Sequence, residues 1–180
     1  ELLDDAERRM FAISERRIQA GFLSMREIVK SSFKTIESLY EKKETITGVA
    51  TGYKDIDTLT SGLQSSDLII IAGRPSMGKT AFALNIAQNA ALAHQKKVAV
   101  FSLEMAKEQL VMRMLCSEAR VNAHSLRSGI LSQTDWPKLT TAAGRLADAS
   151  IFIDDSPAIS AMEMRAKTRR MKADRGLDLI

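Results

Sequence analysis

Residues 73–80 read Gly-Arg-Pro-Ser-Met-Gly-Lys-Thr, which matches the G-x-x-x-x-G-K-T pattern of a phosphate-binding loop. Before this loop stands the apolar run Leu68-Ile69-Ile70-Ile71, which predicts a buried strand at 67–72. After it, a segment without helix breakers predicts a helix over 79–94. Strand, glycine-rich turn and helix, in that order, form the context in which the pattern binds phosphate. The sequence therefore predicts a site for a nucleoside triphosphate.

Each part of the loop has a physical role in that prediction. Gly73 and Gly78 allow backbone angles and a close approach to phosphate that a side chain would prevent. Lys79 can reach the β- and γ-phosphates, and the hydroxyl of Thr80 can ligate Mg²⁺. The predicted nucleotide-binding residues in the loop are Gly73, Ser76, Met77, Gly78, Lys79 and Thr80.

The composition predicts one core in a reducing compartment. The chain has 180 residues, 45% of them apolar, which is enough for one core. No apolar run reaches the length of a membrane span, and the first twenty residues are charged throughout. We therefore expect neither a membrane segment nor a signal peptide. The lone cysteine, Cys116, cannot form an internal disulfide, which agrees with a cytoplasmic location.

The net charge of +4 is concentrated in one segment, residues 160–175. A basic helix can contact nucleic acid. More often it is simply a solvated face, and the spacing of Ala161, Met164, Thr168 and Met171 provides the inward stripe that such a helix needs. The pattern favours the solvated face, and we do not predict this helix as the DNA site.

Two helices precede the globular part of the predicted fold. The first covers 2–18, and the second, over 24–42, opens with Ser24 and Glu27 in the capping-box arrangement. The apolar positions of the second helix form one narrow stripe, at Ile28 or Val29, Phe33, Ile36, and Leu39 or Tyr40. Such a stripe must dock, on its own domain or on a neighbouring subunit, and the pattern leaves both open.

Strands and helices then alternate, after a polar linker that runs to Gly52. This alternation is typical of a parallel, doubly wound α/β sheet with the phosphate site at the C-terminal ends of its strands. Beyond the loop helix, strands are predicted at 97–103, at 151–154 and from Leu177, and helices at about 107–120, 124–128, 132–148 and 160–175.

A nucleoside triphosphatase also needs acidic groups beside the phosphates. Glu104 directly follows an apolar strand, at the sheet edge that carries the phosphate loop, where a carboxylate can polarise a water. The alternative is that Glu104 caps the helix that begins near Ala106. Asp154 ends the apolar run at 151–153 and has the appearance of a Walker B aspartate, although the residues that follow look like a helix-entry turn.

Several motifs together resemble a known family. The chain is similar to the DnaB family of bacterial replicative DNA helicases over essentially its whole length. The most specific element is Phe101-Ser102-Leu103-Glu104-Met105 joined to this phosphate loop. The other matching segments are Thr51-Gly52-Tyr53, Gly62-Leu63-Gln64, Ser66–Ile70, Gln109-Leu110 with Arg113, and Ile153-Asp154-Asp155.

The resemblance implies a RecA-like ATPase domain in a ring-shaped homohexamer that uses ATP and Mg²⁺. Such a ring would move 5′–3′ along single-stranded DNA and unwind the duplex at the replication fork, with primase and a helicase loader as partners. It implies that Glu104 and Lys79 are catalytic, that Lys79 and Thr80 hold phosphate and Mg²⁺, and that Arg113 contacts the nucleotide. It also implies that the Walker B aspartate, the sensor glutamine, the arginine finger and the DNA-binding loops lie beyond Ile180, which argues against Asp154.

The resemblance further divides the chain into three parts. It implies the last helix of an N-terminal domain at 1–20, a linker helix and linker at 21–50, and the first part of the ATPase domain at 51–180. For this segment alone it implies weak nucleotide binding at most and no unwinding. Two other interpretations stay open: another RecA-like ATPase, of the recombination or clock type, and a noncatalytic assembly module.

Overall fold

The structure, a computed structural model, describes residues 23–42 and 45–180 and divides the chain into two units, between Glu44 and Thr45. The described part of the first unit is helix α1, Met25–Lys42. Its predicted capping box is confirmed, because the Ser24 N–H and hydroxyl donate to Glu27 Oε2 at 3.0 and 2.8 Å. The helix predicted at 2–18 lies outside the described residues.

The apolar stripe of α1 is exposed along its whole length. Exposure ranges from 43% for Ile28 and Val29 to 80% for Tyr40, with Phe33 at 60% and Ile36 at 57%. No helix in the described ranges is both long enough and apolar enough to cross a membrane. Helix α1 is thus amphipathic, and its apolar face is exposed.

The second unit has the predicted α/β architecture. Its strands β1 (Val98–Phe101) and β2 (Ile151–Asp154) pair in parallel, with Val98 opposite Ile151. Leu179 forms a parallel bridge to Val98, so β1 lies between β2 and the segment around Leu179. The helices are α2 (Lys54–Thr60), α3 (Lys79–His94), α4 (Lys107–Ala119), α5 (Ala123–Ser128), α6 (Asp135–Asp148) and α7 (Ala161–Asp174).

Helices cover both faces of this sheet, as the doubly wound pattern predicts. On one face, Val98 is 1% exposed and packs against alanines of α3, while Leu110 of α4 packs with Val100 and Ile153. On the other face, Met171 of α7 borders a cleft of about 220 Å³ with side chains of β1 and β2. The alternation of side chains along each strand makes this two-sided cover possible.

The strand predicted at 67–72 is wrong. Leu68 and Ile70 are 87% and 80% exposed, and the segment forms no strand with any described residue. A cleft of about 480 Å³ lies between this segment and β1. Strand formation needs a neighbour that completes the backbone hydrogen bonds, and apolar composition alone does not supply one.

Residues around Thr51 are packed into the second unit, which begins at Thr45. Ala50 is 4% exposed and Thr51 is fully buried. The buried Asp57 carboxylate accepts hydrogen bonds from the Thr51 N–H and hydroxyl, both at 2.8 Å, and from the Gly52 N–H at 3.1 Å. Asn89 of α3 donates to the Thr51 carbonyl at 3.0 Å, so Thr51 is fixed to the helix that follows the phosphate loop.

Candidate nucleotide-binding site

The loop at 73–80 is open to solvent and shaped by left-handed residues. Ser76 and Gly78 have φ angles of +64° and +85°, and every loop residue is exposed. Gly78 stands at the N-cap of α3, and the first bond of the helix runs from the Phe82 N–H to the Gly78 carbonyl at 2.9 Å. The N–H groups of residues 79–81 therefore have no acceptor in the described chain. Such a helix start, with its partial positive charge, suits an anion.

Gly73 and Lys79 approach each other closely within the loop. A Cβ built on Gly73 would lie 3.4 Å from Lys79 Cγ and 3.8 Å from Cδ. The stem of Lys79 thus lies over Gly73, at ordinary contact distance from a Cβ at that position. The N–H groups and the Lys79 ammonium are the donors and the positive charge that phosphate oxygens require, and the Thr80 hydroxyl is the oxygen that the loop offers to Mg²⁺.

Glu104 is presented by a tight turn at the C-terminal end of β1. The Ser102 hydroxyl donates to the Met105 carbonyl at 2.6 Å and accepts from the Met105 N–H at 3.1 Å. The Ser102 N–H donates to the Asp154 carbonyl at 2.9 Å, which extends the β1–β2 ladder by one bond. Glu104 is exposed at the top of this pinned turn.

In the structure, Glu104 does not cap helix α4. The N-cap of α4 is Ala106, and no side chain of its own segment caps the helix. Instead, the Lys107 N–H donates to Asp155 Oδ2 at 3.0 Å, and this bond is the main cause that lowers the pKa of Asp155. Within the described chain the Glu104 carboxylate has no hydrogen bond or ion pair, so it is available to a ligand or a water.

Arg113 borders a cleft of about 570 Å³ between α3 and α4. The same cleft is lined by Ala81, which follows Thr80, and by Met105, which follows Glu104. The predicted nucleotide contact therefore lies beside the two segments that carry the other predicted site residues. Gln109, one helical turn before Arg113, lines the same cleft.

Asp154 is occupied by structural contacts. Its Oδ2 is 2.5 Å from the Lys167 ammonium, and its Oδ1 accepts from the Ser156 N–H at 3.0 Å. The bond to Lys167, followed by those to Ser156, lowers the pKa of Asp154 well below its ordinary value. The carboxylate thereby ties β2 to α7, which agrees with the interpretation that Asp154 is not the metal-binding acid. The described ranges contain no group of three or more His, Cys, Asp or Glu side chains placed to bind a metal.

Ser102 and Asp155 shape the site, and the sequence did not single out either for this role. Ser102 had a local signal, since serine often bonds to backbone groups a few positions away. Asp155 had none, because its partner Lys107 lies 48 positions earlier in the chain. A contact of that kind follows from the parallel pairing of β1 and β2, which no local pattern contains.

A family model described as DnaB-like helicase C terminal domain matches residues 48–180. This match takes in the phosphate loop, the turn at Glu104 and the strands that position them. The chain belongs to the DnaB-like helicase family. This confirms the family resemblance, while the roles of the individual site residues stay predictions.

Named DnaB relatives match nearly all of the chain. Replicative DNA helicase DnaB of Geobacillus stearothermophilus is 50% identical over 179 residues, which are 99% of this chain and 39% of that protein. Replicative DNA helicase DnaC of Bacillus subtilis is 48% identical over 180 residues, 100% of this chain and 40% of that protein. The chain thus spans about two fifths of the length of these relatives.

A solved DnaB-like replicative helicase, described with its interactions with primase, has the same fold. It matches with a TM-score of 0.76 and 30% identity, and the match covers 99% of this chain and 42% of that one. The predicted RecA-like α/β fold is thereby confirmed.

Proposed function

We propose that this chain carries the phosphate-binding half of the motor of a replicative DNA helicase. In the longer protein, ATP hydrolysis drives 5′–3′ movement of a homohexameric ring along single-stranded DNA and unwinds the duplex at the replication fork. The observation that carries the proposal is the exposed Glu104, which has no side-chain partner among the described residues and lies in a turn that borders the same cleft as the start of α3. The names of the relatives, replicative DNA helicases, support DNA as the polymer along which the ring moves.

The chemistry divides among the residues of the site. The N–H groups at the start of α3 bind phosphate oxygens, and Lys79 places a positive charge near the β- and γ-phosphates. Thr80 holds Mg²⁺, which when bound offsets the charge that develops on the phosphates. Glu104 orients the attacking water and accepts its proton. Arg113 stabilises the charge on the γ-phosphate from the wall of α4.

The test is ATP turnover by the full-length protein in the presence of single-stranded DNA. We expect Glu104→Gln to lower turnover by about 10²- to 10⁴-fold with ATP binding retained, because general-base help is lost while the loop stays intact. Lys79→Ala should weaken ATP binding itself. Asp148→Asn, at an exposed carboxylate at the end of α6, is the matched control and should leave turnover within about twofold.

Full turnover by Glu104→Gln would remove Glu104 from the mechanism. A wild-type protein that binds ATP without hydrolysing it would favour the noncatalytic assembly module instead. Loss of turnover in the Asp148 control would mean that the assay reports a general loss of folding.

We also infer that the exposed stripe of α1 docks on a neighbouring subunit of the ring. Phe33→Asp or Ile36→Asp should lower the hexamer fraction, measured by light scattering after size-exclusion chromatography, because each places a charge in an apolar contact. The control is Lys34→Asp, because Lys34 lies on the side of α1 opposite the stripe, and this variant should leave assembly unchanged. Unchanged assembly in the stripe variants would refute the docking.

The proposed cellular partners follow from the same assignment. Primase is supported by the solved relative described with it, and a helicase loader by the family resemblance alone. We infer a cytoplasmic location, where replication takes place in bacteria.

A further inference from the structure

The turn that carries Glu104 is held at both ends by two consecutive residues at the end of the neighbouring strand. At its N-terminal end, the Ser102 N–H donates to the Asp154 carbonyl at 2.9 Å. At its C-terminal end, the Lys107 N–H donates to Asp155 Oδ2 at 3.0 Å. Both ends of the turn are therefore fixed to the place where β2 ends.

The Glu104 side chain is placed by the turn and not by contacts of its own. Its carboxylate forms no hydrogen bond or ion pair with any residue that the structure describes. Inside the turn, the Ser102 hydroxyl bonds to the N–H and the carbonyl of Met105, and the Met105 side chain packs on a buried cluster that includes Leu110. The position of Glu104 therefore follows from that of the turn, which main-chain bonds anchor at each end.

The cap of α4 comes from a distant part of the chain. Its N-cap residue, Ala106, has φ −64° and ψ 147°, the extended conformation in which a serine or an aspartate would cap the helix from its own position. Instead, Asp155 supplies the acceptor from 48 positions later. A local cap would stabilise the start of the helix without fixing its place relative to the sheet. A cap from the end of β2 does both, because β2 is itself paired with β1.

The two oxygens of the Asp155 carboxylate contact the same residue. Oδ2 accepts from the main-chain N–H of Lys107, and Oδ1 lies 3.3 Å from the Lys107 ammonium. The Lys107 side chain is 57% exposed, and an ion pair that is this open to water contributes little. The bond to the N–H is therefore the contact that fixes the start of α4.

We propose that Asp155 is a positioning residue for ATP hydrolysis, which holds the turn at the end of β1 so that Glu104 reaches the attacking water. The proposal rests on the proposed function and on the role of Glu104 in it. A general base acts only within hydrogen-bond reach, and a displacement of about 1 Å can cost about 10²-fold in rate. Because the hydrogen bonds of the Asp155 carboxylate go to Lys107 and not to the phosphate loop, its loss should slow hydrolysis and leave ATP binding unchanged.

The experiment is single-turnover ATP hydrolysis by the full-length protein with single-stranded DNA, together with its affinity for a nonhydrolysable ATP analogue. Asp155→Ala should lower the hydrolysis rate by about 10- to 10²-fold and leave the affinity within about twofold. Asp155→Asn, whose amide oxygen still accepts from the Lys107 N–H, should restore most of the rate. The matched control is Asp148→Ala, the same change at an exposed carboxylate at the end of α6, which should alter neither quantity.

A local cap separates positioning from stability. In Asp155→Ala/Ala106→Ser, the serine caps α4 from within its own segment, so the Tm should return toward the wild-type value. The hydrolysis rate should stay low, because the start of α4 is no longer tied to β2. Recovery of the rate together with the Tm would overturn the proposal, since Asp155 would then only stabilise the helix. If Asp155→Ala alone does not fold, this double variant and Asp155→Asn carry the comparison.

A double-mutant cycle tests whether Asp155 acts through Glu104. In the Glu104→Gln background, Asp155→Ala should lower the hydrolysis rate by less than about twofold, because a displaced glutamine has no base function to lose. A loss as large as in the wild-type background would overturn the positioning role and leave the helicase function standing. A Glu104→Gln variant with the full hydrolysis rate would instead overturn the mechanism under the proposed function, and the positioning role with it.

Discussion

Two apolar runs of similar composition differ in this molecule, since one forms a buried strand and the other is exposed. Val98–Phe101 forms β1, pairs with β2 and is covered on both faces, with Val98 at 1% exposure. Leu68–Ile71 has the same branched and apolar character, yet it pairs with no strand in the described part of the chain, and Ile70 is 80% exposed. The two runs differ in their neighbours, because β1 has partner segments in the described chain and Leu68–Ile71 faces a cleft. Hydropathy thus reports that a segment can be buried, and pairing decides whether it is.

The largest difference should appear between two leucines, one in each environment. In the 180-residue chain, Leu110→Ala should lower the free energy of unfolding by about 2–5 kcal/mol, because Leu110 is 2% exposed and packs behind the sheet. Leu68→Ala, the same chemical change at 87% exposure, should stay within about 0.5 kcal/mol. Urea unfolding measures both. Similar losses at the two positions would show that the open segment is covered in solution.

A polar contact inside the covered region should give a smaller effect. Gln88 of α3 is 5% exposed and donates to Glu118 Oε2 at 2.7 Å, and Glu118 also pairs with Arg145 of α6. Glu118→Ala leaves the buried Gln88 amide without its acceptor, at a cost of about 1–3 kcal/mol in unfolding free energy. Glu118→Gln keeps an acceptor oxygen and should cost less. Equal losses for the two variants would locate the effect in the pair with Arg145 instead.

The smallest effect should come at the far face of the sheet, and it should depend on pH. The folded-state pKa of Asp154 is lowered by Lys167 and Ser156, so its carboxylate stabilises the fold above the unfolded-state pKa of about 3.9. That stabilisation is lost as the pH falls toward the folded-state pKa. Asp154→Asn should therefore be less stable than wild type at pH 7, and the difference should shrink below about pH 4.

Asp174→Asn is the control for this pH series. Asp174 lies 3.7 Å from Arg170, and both side chains are mostly exposed, so its loss should change little. A stability difference for Asp154→Asn that stays constant from pH 7 to pH 3 would contradict the role given to its ionised form.

Much of the fold could be predicted because its signals are local. The helix at 79–94 and the strand at 151–154 begin and end at the predicted residues, and the predicted capping box of Ser24 and Glu27 is present. The short helix α2 was not predicted, since its N-cap Tyr53 offers no capping side chain. The strand at 67–72 failed for the opposite reason, because its local signal is strong and its pairing is not local.

The candidate site divides in the same way. The phosphate loop and Glu104 were predicted from patterns of a few residues. The role of Arg113 came from family resemblance, and its place on the cleft required the packing of α4 against α3. Asp155, which caps α4 across 48 positions, could be found only once β1 and β2 were paired. The nucleotide roles of all these residues stay predictions until turnover is measured.

The parallel pairing of β1 with β2 has a consequence for folding during synthesis on the ribosome. Val98 pairs with Ile151, which is synthesised about 50 residues later. At about 5–20 residues per second, β1 waits roughly 3–10 s for its partner, whereas α3 and α4 can form at once from local contacts. During that interval β1 and Leu68–Ile71 are two exposed apolar segments on one nascent chain. The order of translation therefore makes this stretch a natural client for chaperones that shield apolar strands.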